Sequence, residues 1–205
     1  SFQKKTWIPL PFVTLGIAFS YFSGHIQTSL YLTFISGLYL FYKLFTTRDT
    51  KDFLLASLFF VLGLALAMLQ ILPAMELLTQ SVRSNLVYQG GEIPLSYLVT
   101  IFAPDFFGNP VTRNDWLGYY AERASFIGII PLLLAFFSLL SPKRSLIWFF
   151  AFVGVLALGF ASDTPLRQAL LASNLPILAT SIPSRMIVIF SFSFAVLAGF
   201  GFDAM

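Results

Sequence analysis

The 205-residue chain has no cysteine and a single histidine, His25. The first absence excludes disulfides, iron–sulfur clusters, thiolate zinc sites and a cysteine nucleophile. The second excludes a multi-histidine metal centre. Charge is scarce too: only 10% of residues are Asp, Glu, Lys or Arg, where a soluble domain carries about a quarter. The formal net charge of +3 comes without a basic stripe, so nucleic acid is not an expected partner. There is no P-loop, Rossmann glycine pattern, zinc motif or serine-hydrolase elbow. No cofactor or metal site is identifiable from motifs, and there is no internal repeat or low-complexity tract.

What the chain has in quantity is apolar length. Hydrophobic residues make up 58% of it and 25 are Phe, more than a soluble domain of this size could bury. The apolar runs recur at roughly 17–25 residues, the length a helix needs to cross about 30 Å of hydrocarbon. The expected fold class is therefore all-α: a polytopic bundle with about six spans, near 7–23, 26–45, 53–72, 124–140, 145–161 and 186–202. Helix is the expected form because lipid offers the backbone no hydrogen-bonding partners. The whole chain reads as a single transmembrane domain. Lys4 and Lys5 precede the first run as in a signal peptide, but Pro9 and Pro11 interrupt that run and no cleavage site follows. Both ends read as cut from something longer.

The charges in the connections set an orientation. Lys4, Lys5, Lys43, Arg48, Lys51, Lys143 and Arg144 fall in alternate, short connections, which the positive-inside rule assigns to the cytoplasm. The opposite connections carry only arginines: Arg83, Arg113, Arg123, Arg167 and Arg185. Arginine without lysine suits planar hydrogen bonding to anions, although arginines at an interface also simply snorkel to headgroups. The outer connections are long, about Pro73–Arg123 and Ser162–Arg185, and are expected to contain amphipathic interfacial helices. Pro73 is expected to open one over Ala74–Leu86, with Glu76, Gln80 and Arg83 on one stripe. Pro94–Phe102 is a second, and Thr164 caps a third over Pro165–Ala172.

Polar residues near lipid are costly and tend to be functional, and here they gather on the outer face. His25 and Gln27 lie at the turn between the first two spans. Glu76 and Arg83 follow the third span, Asp105 sits in Pro104-Asp105-Phe106-Phe107-Gly108, Glu122 and Arg123 precede the fourth span, and Arg185 precedes the sixth. Each has a plainer role open to it. His25 can end a helix, Glu76 and Arg83 can form a surface pair, Asp105 can shape a turn, and Glu122 can brace the start of a span. Together they suit a pocket for a lipid-linked anion such as a phosphate ester.

These segments also resemble a family. Gly24-His25-Ile26-Gln27 is similar to the "GHxQ" turn of the YfhO-type bacterial membrane proteins, which belong among the GT-C-like glycosyltransferases. Gln70-Ile71-Leu72-Pro73-Ala74-Met75-Glu76, continuing to Ser81-Val82-Arg83, resembles their "QLLPxxE…SxR" segment. Pro104-Asp105-Phe106-Phe107-Gly108 resembles "P-x-F-F-G", and Glu122 with Phe126-Ile127-Gly128 resembles "E…YxG". Pro183-Ser184-Arg185 ahead of Ala198-Gly199-Phe200-Gly201 resembles "R-x-P-x-R…LAGxG", with Ser181 in the place of the first arginine. The resemblance implies a GT-C-like enzyme of the bacterial cytoplasmic membrane with its active face outside. It would transfer a sugar from a polyprenyl-phosphate carrier to a cell-envelope polymer or glycolipid. In such enzymes the catalytic acidic residue, the base of the transfer, lies in the first external loop, which is expected upstream of Ser1, so this chain would supply the carrier-binding wall. His25, Gln27, Glu76, Arg83, Asp105, Glu122, Arg123 and Arg185 are then the substrate- and phosphate-binding candidates.

Two other classes compete. A transporter or flippase for a lipid-linked or anionic solute explains the spans, but predicts polar residues deep within them, where this chain is almost entirely apolar. A non-catalytic scaffold predicts that substitutions at His25, Glu76 and Arg83 leave function intact.

Overall fold

The computed structural model of the chain describes residues 9–81, 91–111, 120–141, 144–172 and 182–205. The chain divides into two compact units, Ser1–Leu86 and Val87–Met205, each built from apolar helices. Three helices are long and apolar enough to cross a membrane: Thr50–Gln80, Arg144–Ala161 and the stretch Pro183–Asp203. Such helices are the mark of a membrane protein. Leu10–Phe22 and Ile129–Leu140 are apolar but shorter.

The first unit is a three-helix assembly. Helix α1 (Leu10–Phe22) starts behind Pro9, with Pro11 in its first turn, where a missing N–H costs nothing. Helix α2 (Ile26–Thr47) ends on Arg48, whose left-handed backbone lets its N–H donate to the Leu44 carbonyl. Asp49 then caps α3 (Thr50–Gln80), accepting from the Asp52 N–H at 3.2 Å. Ile17, Tyr21 and Ala67 form the core of this unit, with Phe60, Leu64 and Ile71 packed around them. At the crossing of α1 and α3, a Cβ on Gly63 would lie 3.0 Å from both Ile17 Cβ and the Thr14 carbonyl oxygen. The small residue is what lets the two backbones approach.

Here the structure corrects the expected break at Pro73. Instead of ending near residue 72 and restarting as a separate amphipathic helix, α3 runs through Pro73 to Gln80 as one 31-residue helix. Proline removes one N–H, the one that would reach the carbonyl of Leu69, at a cost of about 3 kcal/mol. Unwinding in an apolar setting would leave several backbone groups unsatisfied, each costing several kcal/mol. One gap in the ladder is the cheaper outcome. Of the expected stripe, Glu76 and Gln80 lie on α3 and Arg83 lies outside the described residues.

In the second unit, the short helix expected over Pro94–Phe102 is a 3-10 helix, Leu95–Ile101, followed by the four-residue α4 (Tyr120–Arg123). Helix α5 (Ile129–Phe137) begins later than the expected span at 124, because Gly128 takes φ +94° immediately before it. Helical geometry cannot extend back through that residue. A 3-10 turn, Ser138–Leu140, leads to α6 (Arg144–Ala161) and then α7 (Pro165–Ala172), whose bounds match the expected ones. The turn Pro183–Met186 leads into α8 (Ile187–Asp203).

Helix α8 is the centre of this unit and packs against α5 and α6. Gly154 of α6 faces Ser193 of α8, where an added Cβ would sit 3.0 Å from the serine Cβ. Ile101, Leu132 and Phe190 form the core, with Leu158, Ile187 and Phe194 around them. At one end, residues 91–93 stitch the helices together. Ile93 donates to the Ala161 carbonyl at 2.9 Å and accepts from Asp163 at 3.0 Å, and Ser184 donates to the Gly91 carbonyl at 3.3 Å. The end of α6 and the start of α8 therefore share one end of the unit. The Ser138–Leu140 turn, beside α6 and α8, marks the other.

Candidate functional site

The residues expected at a site divide between the two units. In the first, His25 is the N-cap of α2. Its Nδ1 accepts from the Thr28 N–H at 3.3 Å and lies 2.7 Å from the Thr28 hydroxyl oxygen. Gln27 is buried and donates through Nε2 to the Tyr31 hydroxyl at 2.6 Å. Ser29 donates to the Ser20 carbonyl at 2.6 Å, tying α2 back to the end of α1. His25 is thus engaged in capping α2, and Gln27 in a bond one turn along the same helix. Glu76 is exposed on α3.

In the second unit the structure joins three of the expected residues through α4. Tyr120, at its start, donates its phenol to Asp105 Oδ1 at 2.9 Å. Two residues on, Glu122 accepts from Arg185 Nη2 at 2.9 Å. Asp105, Glu122 and Arg185, distant in sequence, therefore converge on one four-residue element, and Arg123 is its last residue.

Each partner is held from behind. The Asp105 turn closes with Gly108 donating to the Asp105 carbonyl at 2.9 Å, and Gly108 adopts φ +92°, which glycine tolerates best. Phe107 stacks on the buried ring of Tyr97 at 4.8 Å between centroids, which anchors the turn and leaves Asp105 and Phe106 exposed. Arg185 follows Pro183 and Ser184, both buried. Thr100 and Ser125, both buried, lie 3.1 Å apart through their hydroxyls and fix the chain just after α4.

Magnitude decides how the Glu122–Arg185 pair should be read. Its side chains are 34% and 35% exposed, and pairs this open contribute about 0–1 kcal/mol to stability. Its larger effect is to fix the direction of a guanidinium. Chemically, the end of this unit offers a positioned planar cation, an exposed carboxylate and a phenol, a set suited to an oxyanion carrying hydroxyl groups.

Two features escaped sequence reasoning. Tyr120 carries no periodic or motif signal, and only the return of the chain brings it to Asp105. Arg167 was expected on an interfacial helix, and α7 does begin under a Thr164 cap, with the Arg167 N–H 3.4 Å from the hydroxyl oxygen. Its side chain, however, is buried at 3% exposure. A hydrophobic stripe predicts which side of a helix is apolar, but not that an arginine is enclosed. Among the described residues, no group of three or more His, Asp or Glu could hold a metal ion.

The acceptor Asp105 beside its phenol raises the pKa of Tyr120 above the ordinary 10.0, with burial and the carboxylate's charge adding to the effect. The sign follows from linkage. The contribution of this bond to stability is complete below pH 10.0 and is lost as pH rises through the raised folded value, because the unfolded chain releases the proton first. We expect the phenolate absorbance titration, taken as wild type minus Tyr120→Phe, to have its midpoint above 10.0. Asp105→Asn should move that midpoint down. A wild-type midpoint at or below the ordinary value would show that the bond does not form in solution.

Comparison with family models, with curated proteins and with solved structures returned no match.

Proposed function

We propose that the chain is part of a multi-pass glycosyltransferase of GT-C-like type. It would take a sugar from a polyprenyl-phosphate carrier and pass it to a cell-envelope polymer or glycolipid, on the outer face of a bacterial cytoplasmic membrane. The observation that carries this reading is α4, where Glu122 holds Arg185 and, two residues earlier, Tyr120 holds the exposed Asp105. A polyprenyl-phosphate leaving group develops negative charge as the sugar–oxygen bond breaks. A positioned guanidinium stabilises that charge. The proton of the acceptor hydroxyl goes to a carboxylate.

In this reading Arg185 and Arg123 of the second unit face the phosphate. Glu122 orients Arg185, and Asp105 serves the sugar or the wall around it. About six spans cross the bilayer, with the lysine-bearing turns in the cytoplasm. The length of α3 supports such an arrangement. At 31 residues it extends roughly 46 Å, well beyond a hydrocarbon layer of about 30 Å. A helix entering the bilayer near Lys51 would then carry Glu76 out past the far side.

The test is sugar transfer from a panel of radiolabelled polyprenyl-phosphate sugars, in membranes containing the full-length protein. Transfer from at least one donor is expected. No transfer from any donor, with solute flux in liposomes instead, would overturn the enzyme reading in favour of a transporter.

A further inference from the structure

Residues 93–111 contain no helix long enough to cross a membrane, yet they hold large apolar side chains in the open. The 3-10 helix Leu95–Ile101 buries Tyr97, Thr100 and Ile101. Phe102, directly after it, is 61% exposed, and Phe106, in the turn that follows, is 62% exposed. Phe107 stands behind Phe106: the two rings meet edge to face at 5.0 Å between centroids, and Phe107 in turn stacks on Tyr97. Phe106 is therefore held out from the unit on a packed aromatic base. We propose that Phe102 and Phe106 insert into the bilayer leaflet at this end of the second unit, at the boundary between headgroups and acyl chains, and so seat the α4 cluster at headgroup depth.

Packing sets the depth. Ile101 forms a core with Phe190 of α8 and Leu132 of α5, and Leu98 and Leu158 of α6 pack against that core. Phe190 and Leu132 each lie three residues into their helix, and Leu158 three residues before the end of α6. All three thus stand roughly 4.5 Å inside the helix ends. Helix α6 and the stretch containing α8 are long and apolar enough to cross a membrane. When they cross, the 3-10 helix runs beside their terminal turns and not above them. An interfacial helix buries its apolar face at a similar level, about 5–10 Å into the headgroup–acyl boundary. The backbone is suited to that level, where a polar group without a partner is costly. Phe102, Ala103, Phe106 and Gly108 each donate to a backbone carbonyl three or four residues back, and Pro104 has no N–H to satisfy. Asp105 marks the upper limit. A carboxylate is expensive among acyl chains, so it stays with the headgroups, where its partner is the Tyr120 phenol. The occupant found at this depth is the leaflet itself, and a covering protein is the alternative that the test separates. None of this depends on sugar transfer: it requires only that α6 and α8 cross the bilayer.

The experiment places the full chain in phosphatidylcholine vesicles, with Trp7→Phe, Trp116→Phe and Trp148→Phe to clear the background and Phe106→Trp as the one reporter. Separate vesicle sets carry bromines high or low on the acyl chains, and bromine quenches an adjacent indole. We expect emission shifted to the blue of an indole in water, stronger quenching by the shallow bromines than by the deep ones, and little quenching by aqueous iodide. Phe102→Trp in the same background should behave alike, and it decides alone should Phe106→Trp fail to fold. A reporter quenched by iodide and not by brominated lipid stands in water, which overturns the proposal. A reporter reached by neither quencher is covered by protein, from a second copy or from another part of the chain, and this also overturns it. Strongest quenching by the deep bromines places the turn in the bilayer core and overturns the headgroup depth of the α4 cluster.

Discussion

Arg185→Ala in the full-length protein should lower sugar transfer by about a hundredfold or more, the scale seen when one donor to a developing oxyanion is removed. Lys51→Ala should leave transfer unchanged, since Lys51 is exposed in the first turn of α3. Arg185→Lys keeps the charge but not the planar fork that can serve Glu122 and an oxyanion at once, and it should recover only part of the rate. Glu122 makes its contribution through Arg185. Its removal should therefore cost less than removal of the arginine, on the order of tenfold, and should appear mainly in kcat, because a misdirected guanidinium still attracts the carrier. A purely structural pair predicts a different pattern, with both variants losing melting temperature and keeping the rate per folded molecule. Equal transfer by Arg185→Ala and Lys51→Ala at matched expression would remove Arg185 from the site. Arg83→Ala is a parallel case on the sequence argument alone, and it too should reduce transfer far more than Lys51→Ala.

The largest stability effect is expected at Gly201. A Cβ there would run into the carbonyl of Leu134 on α5 and would approach the Ser138 nitrogen to 3.1 Å. The obstacle is backbone on both sides of the contact, so no rotamer change relieves it, and the helices themselves must separate. Overpacking of this kind costs about 1–3 kcal/mol, occasionally more. For chains of this size each kcal/mol shifts the melting temperature by roughly 2–4 °C. Gly201→Ala should thus lower the melting temperature by several degrees in detergent or nanodiscs. Gly199→Ala, two residues earlier on the same helix and with nothing within 4 Å of its added Cβ, should change it little or raise it. Equal melting temperatures for the two variants would mean that α5 and α8 do not pack this closely in solution. Gly63→Ala in the first unit is the milder case, because the nearest atoms to its added Cβ stand at 3.0 Å and need give way only a little.

Most of the helices were legible in the sequence because the signal for each is local. An apolar run of sufficient length has one stable form where the backbone finds no other partner, and the six runs expected as spans all contain helices in the structure. Thr164-Pro165 likewise announced the start of α7 through residues adjacent in the chain. Local rules misjudged Pro73 and Gly128. The effect of a proline depends on what unwinding would expose around it. A glycine's φ is set by the turn it must complete, here the one that leads into α5.

The candidate site was legible only as a set of residue types. Composition and charge pattern by themselves determined that the chain is rich in apolar helices, that its lysines and most of its arginines fall in different connections, and that carboxylates and arginines are candidates for binding an anion. Which carboxylate meets which arginine was decided by tertiary structure alone. Glu122 was expected to brace the start of a span but bonds Arg185, 63 residues away, and Asp105 reaches Tyr120. His25 proved to cap α2, and Gln27 to bond Tyr31 within that helix. The physical reason is range. Helix formation and burial in lipid depend on a residue and its near neighbours, whereas an ion pair depends on two segments brought together by packing, here that of α8 against its neighbours and the stitching of residues 91–93 to both α6 and the start of α8.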